Sequence, residues 1–202
     1  MTTLTTTASG LNTLLMGPSG SGKTHSLRTL IEAGVSPFII ATEPGITSVL
    51  GDLPTDKCHW HYVAPGASSW SALSDISRKL NQMTFEGLTK AIDSQRSSYS
   101  QWLDVINACN NFTCDRTGEE FGDVSTWGPD RALVIDSLTG LNYMAMALVV
   151  GGRPTRGMQD WMVAQNNMEL FLTTLLTSTR CHFILTAHIE REKDEVSGAV
   201  KL

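Results

Sequence analysis

Charge is scarce in this 202-residue chain: only 17% of its residues are Asp, Glu, Lys or Arg, against roughly 25% in an ordinary globular protein. Its 15 basic residues are outnumbered by 20 acidic ones, for a formal net charge of −5. A generally basic coat for nucleic acid is thereby excluded, but a local basic stripe is not. Long apolar runs are missing too, and none approaches the ~18 residues that cross a bilayer as a helix. Cys58, Cys109, Cys114 and Cys181 are the only cysteines, which is no disulfide framework for a chain of this size, so reduced and mostly buried thiols are expected. Residues 1–7 lack the basic start and apolar stretch of a signal peptide and the arginines of a transit peptide. The expectation is a soluble cytoplasmic protein with a flexible N-terminus over 1–10.

Hydrophobic residues make up 41% of the chain and the mean hydropathy is −0.05, a composition that can bury one core. The length suits one domain, here 11–202. Short apolar runs alternate with longer amphipathic ones, the pattern of a parallel sheet flanked by helices. Strands are expected at 11–16, 37–42, 59–63, 132–135 and 181–187. Helices are expected at 23–33, stopped by Gly34, at 138–150 and at 158–179, with two or three more between 69 and 110. Trp70, Leu73, Ile76 and Leu80, and again Trp102, Val105, Ile106 and Cys109, recur at helical spacing and read as core. Between 113 and 130 the periodicity fails and Gly118, Gly122, Gly128 and Pro129 mark an irregular acidic insert, a loop or small hairpin.

Gly17-Pro18-Ser19-Gly20-Ser21-Gly22-Lys23-Thr24 matches G-x-x-x-x-G-K-[ST] between an expected strand and an expected helix, with His25 next. Glycines let the backbone curl so that successive N–H groups face inward, and the helix N-terminus adds its dipole, which together make a nest for phosphates. At average glycine usage such a match arises by chance in roughly 1% of chains this long. In this reading Lys23 reaches the β and γ phosphates of ATP and the Thr24 hydroxyl ligates Mg2+.

Asp136 closes the most strand-like run in the chain, Ala132-Leu133-Val134-Ile135. A carboxylate at that end of a parallel strand faces the same rim as the phosphate loop and can hold the water shell of the Mg2+ that Thr24 touches. Glu43 leaves the sheet just after the second strand, where it can place and polarise a water for attack on the γ phosphate; the plainer reading is an acid beginning a helix after Pro44. His188 emerges from the last full strand on the same rim, as a γ-phosphate sensor or as a hydrogen-bonded structural histidine. Thr186 is an accessory donor there.

In order and spacing, the run from Gly17 to Thr24, then Ile40-Ala41-Thr42-Glu43, Leu133-Val134-Ile135-Asp136-Ser137-Leu138 and Ile184-Leu185-Thr186-Ala187-His188 resembles the RecA-like P-loop ATPases, and most of all the short RecA-like recombination and single-strand annealing ATPases of bacteriophages. The resemblance implies a three-layer α/β domain with a mainly parallel sheet, Glu43 as catalytic glutamate, and Asp136-Ser137 as the pair at the metal-organising strand. His188 stands where the family usually has Gln. It also implies single-stranded DNA as partner, a ring or filament of like subunits, and two DNA-contacting loops. Their counterparts are 151–157, with Arg153 and Arg156, and 189–200, with Arg191 and Lys193; each is equally readable as a solvated loop. Relatives continue into further strands where this sequence stops at Gly198-Ala199-Val200-Lys201-Leu202, which implies a minimal copy or a shortened sequence.

Cys58-x-x-His61 and Cys109-x4-Cys114 fall on ill-matched segments and make no zinc knuckle. No G-x-S-x-G elbow is present. Three functions remain: ATP hydrolysis coupled to DNA, a nucleotide-gated assembly module with little turnover, and a nucleotide or small-molecule kinase, for which an arginine-rich lid is lacking. Five acids and one base lie within 113–130 and four acids and two bases within 189–195. The acidity is therefore local, and it weakens the second DNA loop more than the first.

Overall fold

The computed structural model describes residues 10–64, 70–82, 84, 100–151, 157–189, 192–193 and 200–201. Five strands build its main sheet: β1 (Asn12–Gly17), β2 (Ser36–Ala41), β3 (His59–Tyr62), β4 (Arg131–Asp136) and β5 (His182–His188). They are all parallel, in the order β1-β5-β4-β2-β3. Parallel strands covered on both faces read as continuous apolar runs, and β2, β4 and β5 are buried through their middles.

Alternation along these strands splits the core in two. Phe38, Ile40, Leu133, Ile135, Phe183 and Leu185 face helices α5 (Gln101–Asn110), α6 (Leu138–Val150) and α7 (Met158–Ser178). Ile39, Ala41, Ala132, Val134 and Ile184 face the other layer, which holds α1 (Lys23–Ser26), α2 (Arg28–Glu32) and α3 (Ile46–Leu50) through Leu27, Ile46 and Leu50. The result is the three-layer fold of P-loop NTPases. Helix α4 (Trp70–Gln82) precedes α5, and a two-stranded antiparallel pair joins β6 (Glu192–Lys193) to β7 (Val200–Lys201).

The structure departs from the sequence expectation at the helix after the phosphate loop and at Trp70, and it adds α3 and the β6–β7 pair, the latter in and just past the expected loop 189–200. The helix expected over 23–33 is interrupted at the buried Leu27, giving α1 and α2. Trp70, expected in the core, is 88% exposed. It is the first residue of α4, and helical spacing fixes a face of a helix but not how far the opposing surface extends. The side chains of Leu73, Ile76 and Leu80 lie outside the described residues, whereas Trp102, Val105 and Cys109 are buried and Ile106 packs at the edge of the same core.

The segment 113–130 is irregular but not loose. Thr113 and Glu120 form an isolated antiparallel bridge, the Phe112 N–H donates to the Gly122 carbonyl and the Phe121 N–H to the Phe112 carbonyl, and Val124–Thr126 is a 3-10 turn with the Asp123 side chain accepting from the Ser125 N–H. Phe112, Cys114, Val124 and Trp127 join the core around Phe38. The acids of this segment are exposed, although Asp115 also accepts from the Tyr62 N–H, while its apolar residues close one edge of the molecule. All four cysteines are buried and free. Among the described residues no helix is long and apolar enough to cross a membrane.

Candidate active site

Register decides where the functional side chains meet. Gly17 lies opposite His188, and Ala41 lies opposite both Tyr62 and Asp136, so every strand of the main sheet ends on one rim. Ligands of open α/β sheets bind outside the carboxyl ends of the strands, and here that rim opens into a cleft of about 560 Å3. Ser19 to Thr24, His25, Glu43, Asp136 and His188 all line it. So do Arg28, Pro44, Gly45, Ile46, Ser48 and Val49, none of which carries a motif of its own.

Between β1 and α1 the chain turns through Gly20 at φ 75° and Gly22 at φ 88°, left-handed values that glycine adopts without a Cβ penalty. Lys23 folds back under this loop: its ammonium donates to the carbonyls of Gly17 (2.9 Å) and Pro18 (3.0 Å) and approaches His188 Nδ1 at 3.4 Å. An ammonium only donates, so Nδ1 is the acceptor and the imidazole proton sits on Nε2. That nitrogen donates to Glu43 Oε2 at 3.2 Å. Lys23, His188 and Glu43 thus form one connected line across the cleft.

Asp136 is gripped from both sides by hydroxyls. Thr24 donates to Oδ2 at 2.6 Å and Thr186, fully buried, donates to Oδ1 at 2.5 Å. A threonine hydroxyl and a carboxylate are hard oxygen donors of the kind Mg2+ takes, with waters and phosphates completing its shell; the donor set fits that ion. Among the described residues no group of three or more His, Cys, Asp or Glu gathers as a metal centre. His61 instead pairs with Asp115 at 3.1 Å, and burial pushes the Cys58 thiol up to about 11 and the Cys109 thiol up to about 12.

Sequence reasoning brought together Lys23, Thr24, Glu43, Asp136 and His188, and the structure places all five on one cleft. It carried Thr42 only within the run Ile40-Ala41-Thr42-Glu43 and Ser137 only as the second member of the Asp136-Ser137 pair, and gave neither a contact with Glu43. Ser137 donates its hydroxyl to Glu43 Oε1 at 2.5 Å, and its position directly after Asp136 was the available signal. Arg153, Arg156 and Arg191 lie outside the described residues, and Lys193 is on β6.

No curated protein matches the chain. Among solved structures it is similar to the pCW3 conjugation coupling protein TcpA, monomer form with ATPgS, at 14% identity and a TM-score of 0.33; the match covers 90% of this chain but only 43% of that one. The chain therefore spans less than half the length of the coupling protein. A family model described as an AAA domain matches residues 9–201, and the protein belongs to that family of P-loop ATPase domains.

Proposed function

We propose that the protein is a Mg2+-dependent ATPase whose turnover is coupled to single-stranded DNA, in phage-type recombination, annealing or replication within the host cytoplasm. The observation that carries the ATPase part is the convergence of Lys23, Thr24, Glu43, Asp136 and His188, from four different strand ends, on one cleft. The backbone of Gly17–Thr24 cradles the triphosphate, and Lys23 exchanges its two carbonyl acceptors for phosphate oxygens. Thr24 and Asp136 would hold the Mg2+, which would neutralise charge on the phosphates. Glu43 orients a water in line with the γ phosphorus and takes its proton, while His188 reads whether that phosphate is present.

The DNA part rests on the resemblance to phage RecA-like ATPases, with Arg153, Arg156, Arg191 and Lys193 as the phosphate contacts. The same resemblance supports a ring or filament in which an arginine or lysine of a neighbouring subunit completes the site. A second reading, a nucleotide-gated assembly module with little turnover, is favoured by one observation: both oxygens of Glu43 already have partners, Ser137 and His188.

Steady-state ATP turnover with and without single-stranded DNA, for the wild type, Lys23→Ala and Glu43→Gln, separates these readings. DNA-stimulated turnover that both substitutions abolish is the expected result. Tight ATP binding with negligible turnover under every condition would sink hydrolysis in favour of the assembly module, and phosphate transfer to an added nucleoside monophosphate would point to a kinase.

A further inference from the structure

The side chain of Glu43 is 42% exposed. It sits in the turn after β2, partly exposed, and a base that places a water must keep its carboxylate within a narrow range of orientation. What fixes it comes from another part of the chain, 94 residues away.

Ser137 is fully buried between β4 and α6. Its Oγ accepts from the Gly140 N–H at 3.3 Å as the N-cap of α6, so the hydroxyl proton is left free for another acceptor. That acceptor is Glu43 Oε1, 2.5 Å away. The backbone of Ser137 is itself clamped. Its N–H donates to Thr42 Oγ1 at 2.8 Å, and the Thr42 hydroxyl donates to the Ser137 carbonyl at 3.2 Å. Thr42 is buried and its own N–H donates to the Asp136 carbonyl at 2.7 Å. The residue before Glu43 therefore grips the backbone of the residue that grips Glu43.

We propose that Ser137 is the positioning residue for the Glu43 carboxylate, and that Thr42 sets the position of Ser137. With Oε1 held by Ser137 and Oε2 by His188, the plane of the carboxylate is defined at two points. His188 also touches Lys23, so its hold changes when Lys23 moves to a phosphate. The Ser137 contact involves neither Lys23 nor the phosphate loop.

The kinetic consequence rests on the hydrolytic reading above; the positioning itself does not. Ser137→Ala is expected to lower kcat by roughly 10- to 100-fold while leaving the affinity for ATPγS within about twofold, since no phosphate contact is lost. In a Glu43→Gln background the same substitution should change nothing further. Because Ser137 also caps α6, Thr42→Val and Thr42→Ser give a second route: the valine should lower kcat and the serine, which keeps the hydroxyl, should restore it. Independently of turnover, the side-chain carboxyl 13C resonance of Glu43, assigned by its loss in Glu43→Gln, should shift in Ser137→Ala and Thr42→Val but not in Thr42→Ser.

An unmoved Glu43 resonance overturns the proposal. So does a kcat loss in Ser137→Ala that is as large without the Glu43 carboxylate as with it, or a parallel fall in ATPγS affinity. If the wild type binds ATP without turning it over, the hydrolytic reading falls alone and the resonance still decides the positioning.

Discussion

Gly140 stands one turn into α6, and the space its Cβ would need belongs to Thr42: an added methyl would lie 2.1 Å from Thr42 Oγ1 and 2.6 Å from its Cβ. Thr42 is buried and hydrogen-bonded on both sides of Ser137, so it has no rotamer into which to retreat. Gly140→Ala, which on helix propensity alone would stabilise the helix, is expected instead to destabilise the fold by ~1–3 kcal/mol, the usual penalty for overpacking. Urea denaturation reads this directly, and an unchanged or raised midpoint would refute the close approach. Thr186 makes a second residue-level case. It is fully buried and its hydroxyl is spent on Asp136 Oδ1, so Thr186→Val keeps the shape and leaves that oxygen without its donor. ATPγS binding measured with Mg2+ should weaken several-fold, and binding in EDTA should be unchanged. Equal weakening in both buffers would mean that Thr186 supports the cleft as a whole rather than the carboxylate.

At the level of elements, the open side of β3 presents the problem of an edge strand, unpaired N–H and C=O groups. The segment after Phe112 solves it without becoming a strand. The Asp115 N–H donates to the Trp60 carbonyl at 2.8 Å, and the Tyr62 N–H donates to Asp115 Oδ2 at 2.6 Å. The next residue, Arg116, closes the turn between α3 and β3. Its guanidinium donates to the carbonyls of Gly51, Leu53, Pro54 and Cys58 and lies 4.4 Å over the Trp60 ring. Arg116→Ala is expected to cost on the order of 2–3 kcal/mol, because several carbonyls lose a charged donor at once. Arg116→Lys should recover little, since an ammonium cannot reach a fan of acceptors from one plane. A lysine variant as stable as the wild type in chemical denaturation would show that charge alone suffices. This edge was poorly legible in the sequence for a physical reason. Phe112, Cys114, Phe121, Val124 and Trp127 follow neither a period of 2 nor one of 3.6, so their shared burial leaves no pattern. Strands β2, β4 and β5 were legible because burial on both faces makes them continuous apolar runs. The phosphate loop was legible because its chemistry is local, from Gly17 to Thr24. The line from Lys23 through His188 to Glu43 is long-range, its members separated by 165 and 145 positions, and it is brought together by the register of β1 on β5 and, for Glu43, by the pairing of β5 with β4 and β4 with β2.

The molecule as a whole carries ionisable groups whose pKa values folding shifts, and each makes its stability depend on pH. His59 is 4% exposed, stacked 4.6 Å from Phe38, and its Nδ1 finds no hydrogen-bond partner among the described residues. Burial pushes its pKa below the ordinary 6.5. The unfolded chain therefore binds this proton more readily than the folded one, and stability falls as pH drops from 6.5 through the lower folded value. Asp52 acts in the same direction but later, since its hydrogen bond with Arg28 holds it below 3.8. On the alkaline side the thiols act in reverse. Cys58 rises from 9.0 to about 11 and Cys109 from 9.0 to about 12, both through burial. Above pH 9 the unfolded chain gives up these protons while the folded chain keeps them, so stability is complete below 9 and is lost as pH climbs through 11 to 12. Denaturation midpoints measured from pH 5 to pH 11 should therefore describe a plateau with a shoulder at each end. Each shoulder has its own variant. His59→Phe, which keeps a ring against Phe38 but removes the proton site, should flatten the limb just below pH 6.5 and leave any fall near pH 4 in place. Cys58→Ala should lower the plateau by ~2 kcal/mol or more through the cavity it leaves, yet make the alkaline fall shallower. An acid shoulder that survives in His59→Phe would assign it to carboxylates, and an alkaline limb of unchanged depth in Cys58→Ala would move its origin to Cys109 or Cys181.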